Sequence, residues 1–290
     1  MNRSQVLPIV IAAMVVLSGC NALTGGGGDD TETETPTVTP VDVPTDEPTA
    51  TPVPVLAPGL TGAGVVDAAD LANAHEDALN DDSYTVVSNN TIRYANGTLR
   101  FQWNRTMRVA EGLEPFYIVS RPNGSGRQPV VSSQRVERWS NGERLYSAIV
   151  RQNDTKYSVS ALNRGFISVQ NGEQFLTLFN ALETRVVGQE TRNGTEIYRI
   201  RATNVTNPEY LPRSVLNTSK NPRNISFRAL VDSEGVVRSY HLAYTATDIW
   251  RGVETTNRVT QSLHYTDIGS TVVERPDWYE AANHTTTAVG

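Results

Sequence analysis

Lysine, cysteine and long apolar runs are what this chain has least of. Its 290 residues hold one Cys, Cys20, and two Lys, Lys156 and Lys220, against 23 Arg. A single thiol excludes a disulfide framework and a cysteine-based structural zinc site. No aromatic residue precedes Tyr84, and no Lys or Arg lies between Arg3 and Arg93, so the first 60 residues offer little from which a core could be built. The formal net charge is -6, and seven of the 31 acidic residues lie before position 60, which leaves 24 acids against 24 Lys and Arg beyond it. A formally neutral folded part has no excess of positive charge with which to displace counterions. That argues against nucleic acid as a partner.

What is present begins with an export pattern. Arg3 precedes the apolar run Val6–Leu17, which is too short to cross a hydrocarbon core as a helix, since that takes about 20 residues. A charged start and a short apolar run predict a signal peptide over residues 1–19. Leu17-Ser18-Gly19-Cys20 resembles the lipobox of secreted lipoproteins, which implies lipidation at Cys20 and a protein anchored in the cell membrane and facing the exterior. The competing reading is an uncleaved anchor followed by a buried free thiol. Residues 20–59 then run through Gly25 to Gly28, a cluster of acids, and Pro36, Pro40, Pro44, Pro48 and Pro52 at a four-residue period. Such a composition predicts a disordered or extended spacer.

Residues 60–282 read as one domain, with 283–290 a flexible tail. A 3.6-residue stripe of Val65, Ala68, Ala69, Leu71, Ala72 and Leu79 predicts a helix over residues 65–80. The period then changes to two. Leu99, Phe101, Trp103, Met107 and Val109 alternate with Arg100, Gln102, Asn104, Thr106 and Arg108, and only Arg105 breaks the apolar face. Asn96-Gly97 supplies a hairpin turn before this strand. Further strands are predicted over 116–120, 130–139, 144–151, 156–160, 186–190, 196–202, 225–231, 236–247 and 257–268. Pro122-Asn123-Gly124, Asn141-Gly142, Asn153-Asp154, Asn193-Gly194 and Ser233-Glu234-Gly235 are the turns between them. A second helix is expected over 173–183, opened by a capping box of Asn171 and Gln174. Residues 204–224, with Pro208, Pro212 and Pro222, read as a loop. The fold class that follows is α+β, mainly antiparallel β.

Element order and local motifs add a resemblance. A leading helix, a strand meander and a central Phe175-Leu176-Thr177-Leu178-Phe179 helix lead into Val187-Gly188-Gln189. Val231-Asp232-Ser233-Glu234-Gly235-Val236, Tyr265-Thr266-Asp267-Ile268-Gly269 and Pro276-Asp277-Trp278 follow. This resembles the superfamily of periplasmic lipoprotein carriers and mycobacterial lipid-binding lipoproteins over roughly residues 65–280. The whole chain is also similar to uncharacterised haloarchaeal surface lipoproteins, although its folded part lacks their excess of acid. The resemblance implies a curved half-barrel sheet, with the N-terminal and central helices covering its concave face.

No catalytic constellation emerges, and no cofactor or metal is expected. His75, His241, His264 and His284 have no ligand spacing between them. Ser125 lacks the surroundings of a nucleophile elbow, and Asp81-Asp82 reads as a solvated helix end. Sequons at Asn96, Asn123, Asn153 and Asn193 fall in predicted turns and are the candidate glycosylation sites. In a half-barrel, Phe101, Trp103, Met107, Tyr240, Leu242, Tyr244, Leu263 and Tyr265 would share the concave side as candidate ligand-binding residues. Two functions stay open: binding or carrying a hydrophobic small molecule or lipid in a concave cavity, or a non-enzymatic structural or sensory interaction domain with a sealed core.

Overall fold

The computed structural model describes residues 53–124, 134–152, 154–162, 172–211, 219–250 and 253–285. The signal segment, Cys20, residues 21–52 of the spacer, Asn153, Asn171 and residues 286–290 lie outside the described residues.

Three short strands, β1 (Val55–Ala57), β2 (Leu60–Thr61) and β3 (Gly64–Val65), form a small antiparallel sheet. The expected spacer therefore contributes a strand, β1, at its C-terminal end. The cause is the apolar group Val55-Leu56-Ala57 beside Leu60: Ala57 and Leu60 are both buried in the main core. Helix α1 follows at Ala68–Asn80 and not at Val65, because Gly64 and Val65 pair with Thr61 and Leu60. Asp67 caps it, its Oδ1 accepting from the backbone N–H of Ala69 (2.9 Å) and Asp70 (3.0 Å). Leu71, Ala72, His75 and Leu79 form its buried stripe. Gly59 turns the chain toward the helix at φ +69°, and a Cβ there would lie 2.1 Å from the Asp67 carbonyl oxygen, so no other residue fits.

Eleven strands make the main sheet, and every pairing is antiparallel. They are β4 (Tyr84–Tyr94), β5 (Leu99–Val109), β6 (Phe116–Gly124), β7 (Arg135–Ser140), β8 (Arg144–Arg151), β9 (Asp154–Ala161), β10 (Leu182–Arg192), β11 (Thr195–Val205), β12 (Ser219–Asp232), β13 (Val237–Trp250) and β14 (Val253–Thr266). Their spatial order is β10-β11-β12-β13-β14-β4-β5-β6-β7-β8-β9. Two meanders therefore lie side by side, joined where the last long strand pairs with the first. The sheet is curved and not closed into a barrel. Among the described residues its edges are β9 and β10, which are consecutive in sequence, and helix α2 (Gly172–Ala181) lies in the connection between them.

α2 buries Phe175, Leu178, Phe179 and Ala181 against the face that α1 also covers. It ends two residues short of the expected Glu183, since Leu182 and Glu183 are taken into β10 opposite Val205 and Asn204. Of the expected capping box, Asn171 lies outside the described residues, and Gln174 has another partner among the described ones. Its amide donates to the Tyr240 hydroxyl. Two further expectations are corrected. Pro122-Asn123-Gly124 is not a turn: β6 runs through it, with Trp103, Gln102 and Phe101 opposite these three residues. The loop predicted over 204–224 yields its last residues to β12. Asn221 and Asn224 adopt left-handed backbone (φ +51° and +53°) at two register shifts. Among the described residues that half of β12 pairs with β13 alone, and Pro is tolerated on an edge of this kind.

The two faces of the sheet carry separate clusters. On the inner face Tyr84, Val86, Ile92, Met107, Val109, Phe116 and Ile118 join Leu71, Leu79, Phe175 and Leu178 in one core. On the outer face, Trp139 and Tyr146 meet Tyr117, Tyr157 and Val159. These lie beneath the segment 271–283, which ends in a short helix, α3 (Tyr279–Asn283).

Candidate functional site

Strand alternation brings all eight candidate ligand residues onto the inner face. In β5 the inward set is Phe101, Trp103, Arg105, Met107 and Val109, opposite Ile92, Asn90, Ser88, Val86 and Tyr84 of β4. The rows continue through β14 and β13: Val86 faces Tyr265, Ser88 faces Leu263 and then Tyr240, Asn90 faces Gln261 and then Leu242, and Ile92 faces Val259 and then Tyr244.

A shared face is not a shared environment. Met107, Tyr240, Leu242, Tyr244, Leu263 and Tyr265 are buried in the core beneath α1 and α2. Their polar atoms are used within it. His75, fully buried on α1, accepts a hydrogen bond at Nδ1 from the backbone N–H of Val237 (3.1 Å), so its other nitrogen is the donor, 3.4 Å from the Tyr265 hydroxyl. Its ring meets Phe175 and Tyr265 edge-on, at centroid distances of 4.5 and 5.1 Å. Burial pushes the His75 pKa down from 6.5 to about 3, with Arg238 adding to the effect, and the imidazole is neutral. Burial likewise raises the pKa of the Tyr240 and Tyr265 phenols. Phe101 is half-buried at the margin of this core, and Trp103 is 36% exposed.

Between these two environments runs a band of polar side chains. One row reads Leu263, Ser88, Arg105, Ser120, Val136, and the adjacent one Tyr265, Val86, Met107, Ile118, Arg138. Arg105 Nε is buried and has no hydrogen-bond partner among the described residues, and the same holds for Ser120 Oγ and Asn90 Oδ1. One terminal nitrogen of Arg105 points at Met107 Sδ (3.7 Å), and the guanidinium lies 6.0 Å from the centre of the Trp103 ring. Burial, followed by the nearby charge of Arg138, pushes its pKa down to about 10. In the sequence Arg105 registers only as the break in an apolar stripe. Its being in phase with that stripe is the signal that it faces inward. The Arg100 guanidinium is differently placed: it pairs with the buried Asp248 (2.7 Å), whose carboxylate also accepts from Asn257 (3.0 Å).

The outer face holds a cleft of about 620 Å³ beside the C-terminal segment, lined in part by Arg108, Tyr117, Arg135, Glu137, Arg275 and Trp278. Glu137 is buried here. Its carboxylate accepts from Trp278 Nε1 (2.8 Å) and from the Tyr117 hydroxyl, and it pairs with Arg135 Nε (2.9 Å). Burial, then the Glu137 hydrogen bond, raises the Tyr117 pKa to about 12. No sequence signal marked this network. Glu137 and Tyr117 sit at the polar phase of their strands, and only the returning C-terminal segment makes that phase an interior.

His241 and His264 lie on adjacent strands, at positions diagonal to each other. Among the described residues no group of three or more His, Cys, Asp or Glu comes together that could hold a metal ion. Of the sequons, Asn96 and Asn193 are exposed in hairpin turns, and Asn123 is exposed on β6 and not in a turn.

Fold and site together define an open antiparallel sheet with two helices on its concave face and a partly covered aromatic and cationic strip beyond them. The chain belongs to a family of unknown function, DUF7537, which it matches over residues 5–282. No curated protein matches it. Among solved structures it is similar to a DUF1329 family protein from Desulfovibrio piger, with 11% identity, 73% of this chain and 95% of that chain covered, and a TM-score of 0.27. It is also similar to a LolA superfamily protein from Nitrosomonas europaea (9%, 71% and 94%, TM-score 0.25). An outer membrane lipoprotein-sorting protein domain from Vibrio parahaemolyticus is a third (9%, 74% and 98%, TM-score 0.24).

Proposed function

We propose that this is a lipid-anchored envelope protein, facing the exterior, that binds a hydrophobic ligand on the concave face of its sheet and does no catalysis. One observation carries the reading. The inward aromatic stripe of β5 is only partly covered, with Phe101 half-buried against the core and Trp103 36% exposed, on a face that helices close elsewhere. Concave, mostly apolar surface with a few polar groups is the usual make-up of a small-molecule site. The lipobox pattern at Cys20 and the Thr/Pro spacer support the envelope location, since they would tether the domain at a distance from the membrane.

The competing reading is an interaction domain, favoured by the burial of the other six candidate residues in a closed core. A fluorescent fatty-acyl probe separates the two. The ligand reading expects saturable binding by wild type, weakened at least about tenfold in Trp103→Ala, which corresponds to roughly 1.4 kcal/mol. Absence of binding by the wild type overturns it and leaves the interaction domain. Location is tested independently by Cys20→Ser, which should release the protein from the membrane or leave an unprocessed precursor. Unchanged processing and membrane retention would contradict the anchor.

A further inference from the structure

A buried guanidinium with an unused donor is costly unless something supplies the missing acceptor. Arg105 is in that position. Its Nε is shielded and unpartnered, and one terminal nitrogen has only the Met107 sulfur, a weak acceptor. The nearest cation acting on it is Arg138, and among the described residues no carboxylate pairs with it. A second cation on the same inner face, from the neighbouring row, makes the place worse for a lone arginine and better for an anion. Directly across the β5–β6 ladder is Ser120, 4% exposed, with its hydroxyl also unpartnered. Two strands thus present an N–H and an O–H donor side by side, both dry and both unused. By contrast, Arg100 and Arg238 are matched to buried carboxylates of their own, Asp248 and Asp232.

The position of these donors selects the occupant. Trp103 and Met107 flank Arg105 along the same face of β5, so the buried polar atoms have apolar side chains on either side along the strand and are not part of an open charged surface. A fully hydrated ion would lose its water there with nothing apolar to offset the loss. An amphiphile would place its charge on Arg105 and its chain along Trp103 and Phe101. We propose that the concave face takes an amphiphile with a singly or doubly charged anionic head, a phosphate or carboxylate, held by Arg105 and Ser120, with Arg138 adding positive potential. Guanidinium suits such heads because its planar donors match two acceptor oxygens at once. Asn90 Oδ1, unpartnered on the adjacent row, is an acceptor for a hydroxyl on the head group.

This inference rests on the hydrophobic-ligand reading above, and the test keeps the two apart. Three probes are titrated calorimetrically into the delipidated wild-type chain: dodecyl phosphate below its micelle concentration, dodecanol below its solubility limit, and inorganic phosphate. Dodecyl phosphate should bind at least about tenfold more tightly than dodecanol, as expected for one charge-assisted hydrogen bond, and inorganic phosphate far more weakly than either. In Arg105→Met the preference for the charged head should disappear while dodecanol binding persists. Arg105→Lys, which keeps the charge, should retain part of the preference. Equal binding of dodecyl phosphate and dodecanol by the wild type overturns the anionic head and leaves the hydrophobic-ligand reading intact. Inorganic phosphate binding as tightly as dodecyl phosphate overturns the amphiphile. Binding of none of the three overturns both. The wild-type comparison stands even if a variant fails to fold.

Discussion

Met107 and Trp103 sit four residues apart on the same face of one strand, yet Met107 is 1% exposed and Trp103 36%. The difference lies in what is above them. Met107 belongs to the packed core that helices α1 and α2 complete with Leu71, Leu79, Phe175 and Leu178. At Trp103 the same alternation continues with less cover, and the row beside it is polar. Periodicity along a strand thus tells which face a side chain takes, but not whether that face is closed.

The largest effect should come from breaking the sealed side. Met107→Ala should cost about 2–5 kcal/mol in urea melts, as large-to-small core changes do. Trp103→Ala, on the open side, should cost less than about 1.5 kcal/mol while abolishing most probe binding. Equal losses at the two positions would erase the distinction between them.

Next comes the outer face, where the C-terminal segment and not a helix provides the cover. Glu137→Gln should cost about 1.5–3 kcal/mol, the worth of hydrogen bonds to a buried charged group. It should also free Trp278, seen as a red shift and increased quenching of its fluorescence. A stable variant with unchanged fluorescence would mean that the segment is held by its aromatic contacts alone.

The sealed side also carries a pH signature. The unfolded chain takes up a proton on His75 below about pH 6.5, whereas the folded chain does not until about pH 3. Stability should therefore fall with decreasing pH across that window, at about 1.4 kcal/mol per unit from this group. His75→Gln, which can still accept from Val237, should flatten the slope. An identical slope in the variant would assign it to carboxylates.

The smallest effect is expected at the entry to α1. Asp67→Ala removes an acceptor for two backbone donors and should cost about 1 kcal/mol in thermal or urea melts.

Much of the sheet was legible because β13, β14 and, apart from Arg105, β5 alternate, and Asn-Gly and Ser-Glu-Gly turns lie beside them. Helix α1 was legible from its stripe, but not its start, because the Gly64–Val65 pairing is a tertiary event. β4 was harder to see. Tyr84, Val86 and Ile92 are in phase, but Ser88 and Asn90 interrupt them because they belong to the polar band. The eight candidate ligand residues share one face as expected, yet their differing cover depends on distant segments packing over that face, which no local pattern encodes. Arg105 and the Glu137 network escaped for a common reason. A polar residue in an apolar phase, or a carboxylate in a polar phase, acquires its meaning only from distant segments that pack over it.

Native mass spectrometry of the full chain, purified from its own membrane without delipidation, tests the central claim most directly. The account predicts a co-purifying hydrophobic species at about one per chain, reduced in Trp103→Ala. A wild-type chain that flies bare, and that after delipidation takes up no acyl probe, would contradict it.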